Sequence, residues 1–489
     1  MKPITATRNE AVAGSAEPTP SVRWALASLS LSMLLSSLGT SIANVGLPTL
    51  AQAFDASFQE VQWVVLAYLL AITSLIVSVG RLGDITGRRR LLLAGILLFT
   101  VATSLCGLAP TLGLLIAARA AQGLGAAIMM ALTMAFVGAT VPKGKTGSAM
   151  GLLGTMSAIG TALGPSLGGI LIAGFGWRAI FLVSVPLGVL TFFLAYRYLP
   201  VDRGEPKTDR AGFDGAGTLL LALTLGAYAL AMTVHHDAGR GSFGALNMAL
   251  LLAAVVGGGL FVLAESTAAS PLIRLAMFRD PGFSASLATS ALVSTVMMST
   301  LVVGPFYLSR TLGLDAALLG LVLAVGPLVV ALTAVPSGRI ADRFGAQRMT
   351  MVGLGAMAAG SFVLSLLPVT LGIPGYLAPI VVITVGYALF QTANNTAVMT
   401  DISLDQRGVV SGMLNLSRNL GLVSGASVMG AVFAFASATT DITTAHPVAV
   451  ATGMRTTFAV AAALLVVALA LVVGSRALAT RHPHPQDAR

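Results

Sequence analysis

Charge is what this 489-residue sequence has least of: Asp, Glu, Lys and Arg together make 9% of it, against roughly 25% in a soluble domain. A water-soluble body of this size lacks the polar surface it needs, which excludes a soluble enzyme or binding domain. All 18 acidic residues fall in tails, loops or helix ends, and none lies deep in an apolar run. The single cysteine, Cys106, sits in such a run and excludes an intrachain disulfide framework. His235, His236, His446, His482 and His484 fall in loops or the tail with no partner cluster, so no metal site is indicated. Gly353-Leu354-Gly355 is a glycine pair inside an apolar helix. No P-loop occurs, so no ATP bound to this chain powers it and no cofactor is implied. The net charge of +10 is spread over alternate loops rather than gathered on one face, which argues against nucleic acid.

Hydrophobic residues make up 56% of the chain, with 54 glycines and 21 prolines. That mixture fits helices covered by a lipid bilayer, where small residues let backbones approach and broken helices are tolerated. A span needs about 20 apolar residues. Fourteen segments qualify: 23–50, 60–81, 91–109, 111–138, 146–174, 178–199, 213–234, 244–265, 282–308, 316–337, 348–368, 374–398, 408–436 and 453–476. Residues 1–22 read as a polar tail, as do residues 477–489.

The cations support the count. With both termini inside, 22 of the 28 lysines and arginines fall in cytoplasmic segments. Only Arg178, Arg240, Arg310 and Arg455 fall outside, and Arg119 and Arg418 lie within spans. That bias follows the positive-inside rule. It predicts a multi-pass membrane protein with both termini cytoplasmic.

The pattern G-R-x-x-D-x-x-G occurs twice between apolar runs, as Gly80-Arg81-Leu82-Gly83-Asp84-Ile85-Thr86-Gly87 followed by Arg88, and as Gly338-Arg339-Ile340-Ala341-Asp342-Arg343-Phe344-Gly345. The copies are 258 residues apart, whereas six spans with their loops need about 180. The excess fits two extra helices. The predicted fold is all-α: a six-helix bundle over 23–200, a linker with two transmembrane helices over 201–281, and a second six-helix bundle over 282–476. An aspartate is not needed for topology alone. Gly80, Arg81, Asp84, Gly87 and Arg88, with Gly338, Arg339 and Asp342, are therefore candidates for a latch that breaks in each transport cycle.

An intramembrane arginine is expensive unless it faces a cavity or a partner. Arg119 and Arg418 are thus candidate substrate or coupling residues. Gln122 and Met129 share helical spacing with Arg119, and Asn415 with Arg418, while Gln391 and Asn394 add amides one span earlier. Met129, Met130, Met134, Met297 and Met298 suggest an adaptable apolar pocket. Gly160, Gly164 and Gly168 form a stripe of small residues beside Pro165, and Gly326-Pro327 repeats the device, which suits an interface between halves that rock.

On these motifs the chain resembles the major facilitator superfamily, and within it the fourteen-helix drug:proton antiporters. Besides the charged turn, the resemblance rests on Arg119-Ala120-Ala121-Gln122-Gly123-Leu124-Gly125 in the fourth span. It also rests on Gly160-Thr161-Ala162-Leu163-Gly164-Pro165-Ser166-Leu167-Gly168-Gly169 in the fifth. It implies secondary active export of lipophilic drug-like molecules by alternating access, coupled to protons. The first span carries Leu38-Gly39-Thr40-Ser41-Ile42-Ala43-Asn44-Val45-Gly46-Leu47-Pro48. Asn44 joins the candidate site here, but Gly39 stands where that branch carries an aspartate, so no proton-carrying residue is visible. The expected partners are a small-molecule substrate, protons and the bilayer. Two alternatives stay open: a transporter of one small anionic metabolite with Arg119 and Arg418 as clamps, and a non-transporting membrane receptor or scaffold.

Overall fold

The computed structural model describes residues 20–76, 78–140, 146–200, 214–233, 244–267, 275–400, 407–437 and 445–481. Most of the two expected tails, and the polar stretch 201–210, fall outside them. Among the described residues every regular element is helical. In chain order the α-helices are α1 (Pro20–Val45), α2 (Leu47–Phe54), α3 (Phe58–Leu75), α4 (Val79–Thr86), α5 (Arg88–Leu108), α6 (Leu112–Thr140), α7 (Thr146–Phe175), α8 (Ala179–Leu182) and α9 (Ser184–Tyr198). They continue as α10 (Gly215–Thr233), α11 (Ala245–Thr267), α12 (Pro281–Phe306), α13 (Ala316–Phe344), α14 (Ala346–Leu366), α15 (Gly372–Thr400), α16 (Arg407–Ser424), α17 (Gly430–Ala436) and α18 (Pro447–Arg481). Among the described residues fourteen helical segments are long and apolar enough to cross a membrane. An even number of crossings puts both ends of the described chain, and both charged motifs, on one face.

The helices gather into two bundles of six spans and a linking pair. In the first, α1 packs on α7 and α9, α5 on α6, and α3 on α6. In the second, α14 packs on α15 and α18, α13 on α15, and α12 on α16 and α18. The linking helices α10 and α11 pair with each other, and α10 leans on α3. Trp63 of α3 donates its indole N–H to the Thr233 hydroxyl of α10 at 3.1 Å. Lipid tails are as apolar as leucine, so small residues and polar contacts hold such helices together. Gly95 of α5 and Gly125 of α6 meet backbone to backbone, and a methyl at Gly125 would lie 2.8 Å from the Gly95 carbonyl oxygen. Gly353 of α14 and Gly386 of α15 repeat that contact in the second bundle, where either methyl would lie 2.7 Å from the other glycine's oxygen.

Several predicted spans are interrupted, the sixth at Val183 between α8 and α9. The first breaks at Gly46, and Pro48 starts α2 at a position where a missing N–H costs nothing. The second ends as α3 at Leu75 and resumes as α4. The thirteenth carries a π-helical turn, Gly425–Met429, between α16 and α17. At the other end of α3, Ser57 and Glu60 form a reciprocal capping box.

The charged motifs are helix ends rather than turns. Gly80 to Thr86 belong to α4, and Gly338 to Phe344 to α13. The turn shrinks to one residue in each half: Gly87 at φ 93°, ψ 123° and Gly345 at φ 90°, ψ 128°. Each donates its N–H to the carbonyl four residues earlier at 2.9 Å. Positive φ with extended ψ is glycine territory, which explains why glycine stands at both places in the repeat.

Candidate functional site

Arg119 of α6 sits behind the wall between the bundles, not in the opening. Its side chain is fully buried. Nε donates to the Val64 carbonyl at 2.8 Å, and Nη1 donates to the Gln122 side-chain oxygen. The guanidinium lies 4.1 Å from the centroid of the Tyr68 ring and 6.0 Å from that of Phe181. Gln122 donates onward to the Thr103 hydroxyl at 2.7 Å, which donates to the Phe99 carbonyl. The charge is therefore met by a backbone oxygen, an amide and aromatic faces, which desolvation strengthens. Nη2 has no hydrogen-bond partner among the described residues.

Gly39 belongs to this cluster. A methyl there would lie 2.9 Å from the Tyr68 hydroxyl, which donates to the Ser36 carbonyl at 2.7 Å. The phenol thus occupies the space a side chain at 39 would need. Asn44 is buried and spends its amide N–H groups on Thr40 and Ser41 carbonyls of its own helix. Met129 is fully buried in the core of the first bundle. Of the residues expected at a substrate site, Arg119, Gln122, Asn44 and Met129 are thus wall and core residues here. Asn394 is also buried and stands apart from the cavity lining. Cys106 is a buried free thiol of α5.

The opening between the bundles is a cavity of about 850 Å³, lined by both halves. Of the amides and cations expected in the second half, it brings together Gln391, Asn415 and Arg418, and adds Asn395, Thr384 and Thr392. Gln391 donates to the Asn395 side-chain oxygen at 3.4 Å, a long bond. The first half contributes Met33, Met130 and Met134 beside Ser157 and Thr161. Among the described residues no aspartate or glutamate lines it, and Arg418 is the charged group of the lining. Arg119 and Arg418 do not face one common space. Sequence spacing put each on a polar helical face but carried no information on what that face meets. Tyr376 and Tyr387, also in the lining, gave no sequence signal beyond being aromatic.

The cavity reaches Gly80, Ala334 and Asn395 toward the face carrying the charged motifs, and is shut at the other face by contacts between the bundles. Gly169 of α7 meets Gly320 of α13: a methyl on Gly169 would come within 2.4 Å of the Ala316 carbonyl oxygen, and one on Gly320 within 2.4 Å of that of Pro165. Phe58 of α3 packs edge-on against Phe306 and Phe433, with centroids 4.8 and 5.5 Å away. Gln62, also of α3 and buried, donates its amide to the carbonyl of Ala426 in the π-helical turn. Such a turn leaves backbone carbonyls available to outside donors. The stripe Gly160, Gly164 and Gly168 lies elsewhere: it seats α7 on α1 inside the first bundle, against Leu34, Ser41 and Val45. The next glycine in sequence, Gly169, is the one that crosses to the other half. Gly326 and Pro327 line the cavity, and Gly326 faces Thr384 of α15.

In the charged motifs, Gly80 lines the cavity and Arg88 is exposed. The side chains of Arg81 and Asp84 lie outside the described residues. Arg339 and Asp342 are exposed on the last turns of α13, and a methyl on Gly338 would lie 3.7 Å from the Thr392 methyl.

Three comparisons place this geometry among known proteins. The family model for the Major Facilitator Superfamily matches residues 29–426. The uncharacterized transporter YebQ of Escherichia coli K12 is 32% identical over 412 residues, which cover 84% of this chain and 89% of that protein. The multidrug resistance protein Stp of Mycobacterium tuberculosis H37Rv is 33% identical over 414 residues, 83% of this chain and 74% of Stp. A solved bacterial homolog of the human lysosomal transporter Spinster, inward-facing and unoccupied, matches with a TM-score of 0.68 at 16% identity, covering 96% of this chain and 100% of that one.

Proposed function

The chain belongs to the Major Facilitator Superfamily, and from that premise we propose that it exports lipophilic, drug-like molecules by proton-coupled alternating access. As a member of that superfamily it is a multi-pass bacterial membrane protein and a secondary transporter of small molecules, not an enzyme. The observation that carries the finer reading is the cavity itself. It is of drug size, is walled on one side by Met33, Met130 and Met134, and is shut at a single end. Methionine adapts to ligands of varied shape, and a pocket of several hundred Å³ suits a drug-sized molecule. The name of the Stp relative, a multidrug resistance protein, points the same way.

In this reading the cavity opens to the cytoplasm of a bacterial inner membrane, with both termini on that side. The units 23–200 and 282–476 rock about the Gly169–Gly320 crossing, and 201–281 rides along. The motif residues from Gly80 to Arg88 and from Gly338 to Asp342 latch the cytoplasmic side when the cavity opens outward. Arg119 and Gln122 set the rigidity and field of the wall behind the substrate. The rival with two arginine clamps loses its geometry, because Arg119 is sealed from the cavity.

The test is transport by proteoliposomes containing the full chain under an imposed pH gradient. Accumulation of neutral lipophilic compounds that collapses when the gradient is dissipated is the expected result. Transport indifferent to the gradient would remove the proton. Absence of transport for every lipophile, with one polar metabolite moved instead, would remove the export reading.

A further inference from the structure

The charge inventory of the cavity narrows the substrate. Resting on the export reading above, we infer that the cavity selects acidic amphiphiles: molecules with one carboxylate, held by Arg418, and an apolar body laid against the methionines of the opposite bundle. Arg418 is exposed to the cavity and has no ion pair or hydrogen bond among the described residues. Among the described residues no carboxylate lines the space to neutralise it. A guanidinium keeps its charge through the physiological pH range, and sealing a lone cation away from water is strongly unfavourable. Alternating access requires that sealing step. A substrate carboxylate supplies the missing counter-charge, and two parallel N–H···O bonds fit it to the planar fork.

The second bundle adds amides beside that cation. The buried side-chain oxygen of Gln391 has no hydrogen-bond partner among the described residues, and Asn395 lies next to it. The facing wall, with Met33, Met130 and Met134, offers soft apolar contact. The acid end therefore points to the second bundle and the body to the first, so one bound molecule bridges both halves. Counting the described lining residues, the loaded cavity is neutral and the empty cavity carries a charge of +1. The loaded carrier then reorients faster than the empty one, and acid-for-acid exchange outpaces net efflux.

The experiment uses the full-length protein and three probes sharing one body: pyrenebutyrate, its neutral primary amide, and a trimethylammonium counterpart. Binding is read by fluorescence on purified protein, and movement in proteoliposomes. The wild type should bind the acid at least about tenfold more tightly than either analogue, and exchange should exceed net efflux. Arg418→Gln should weaken acid binding roughly 10- to 100-fold, the range for a charged hydrogen-bonding pair, and weaken amide binding severalfold less. Arg418→Lys should restore part of the preference. A melting temperature equal to that of the wild type in detergent verifies that the glutamine variant is folded. A long-chain fatty acid supplied from the bilayer forms a further arm. If it binds through Arg418 while pyrenebutyrate does not, the acid class stands and its source is the membrane. Equal or tighter binding of the ammonium probe, or an acid preference that survives Arg418→Gln, overturns the inference. Export of the amide in that case leaves the export reading standing.

Discussion

Replacing Gly169 by alanine should push the protein out of the conformation described here. The added methyl would sit 2.4 Å from the Ala316 carbonyl oxygen and 2.9 Å from the Gly320 Cα. An ordinary carbon–oxygen contact is longer by about 1 Å, and both neighbours are backbone, so no side chain can swing away. The helices α7 and α13 must separate. Overpacking of this kind costs about 1–3 kcal/mol. If the bundles part at this crossing in the alternate state, that state does not bear the cost, and the population ratio shifts by roughly 5- to 150-fold. Spin labels report the shift. With the buried Cys106 replaced by alanine, cysteines at Gln52 and His446 place labels on exposed sites near the shut face. Gly169→Ala should lengthen their separation and leave thermal stability within about 1 kcal/mol, since only one of two near-balanced states is penalised. Gly320→Ala should do the same through Pro165, and the pair should be less than additive because the two sites touch. An unchanged distance distribution in both variants would refute the view that this crossing holds the closed end.

The remaining predictions concern the wall, the lock and the turns. Arg119→Ala strands the Val64 and Gln122 oxygens in a dry interior and should lower stability by on the order of 3 kcal/mol; an unaltered melting temperature in detergent would contradict the network. Arg119→Lys should recover only part of that, because an ammonium cannot reproduce the planar fork over the Tyr68 ring. Gln62→Leu leaves the Ala426 carbonyl without its donor and should move the same spin-label distance in the same direction as Gly169→Ala. Gly87→Ala and Gly345→Ala each force a side chain to adopt φ near 90° and should cost about 1–3 kcal/mol apiece. The two losses should match closely in thermal unfolding, since the backbone angles match. A large loss at one site and none at the other would argue that the halves do not share this device.

Periodicity and charge made the spans legible, because the bilayer imposes length and polarity on each helix independently of its neighbours. The internal repeat was legible for a similar reason: Gly87 and Gly345 are required by local backbone geometry, so they stand at matching places without reference to the rest of the fold. What a helical face meets was not legible. Arg119 and Arg418 look alike in sequence, each an arginine with an amide three or four residues away in an apolar helix. One is sealed by Val64, Gln122 and Tyr68, and the other lies open to the cavity, and the residues deciding between these fates sit on other helices. The same holds for adjacent glycines: Gly168 packs within its own bundle and Gly169 across to the other, a distinction set by a rotation of about 100° around one helix. The missing carboxylate joins the two observations. Gly39 leaves its place to the Tyr68 ring, which stacks on Arg119, so the wall needs no acid of its own. The cavity cation meets no acid among the described lining residues, and the proposed role of a substrate carboxylate in completing the charge balance rests on that difference between the two arginines.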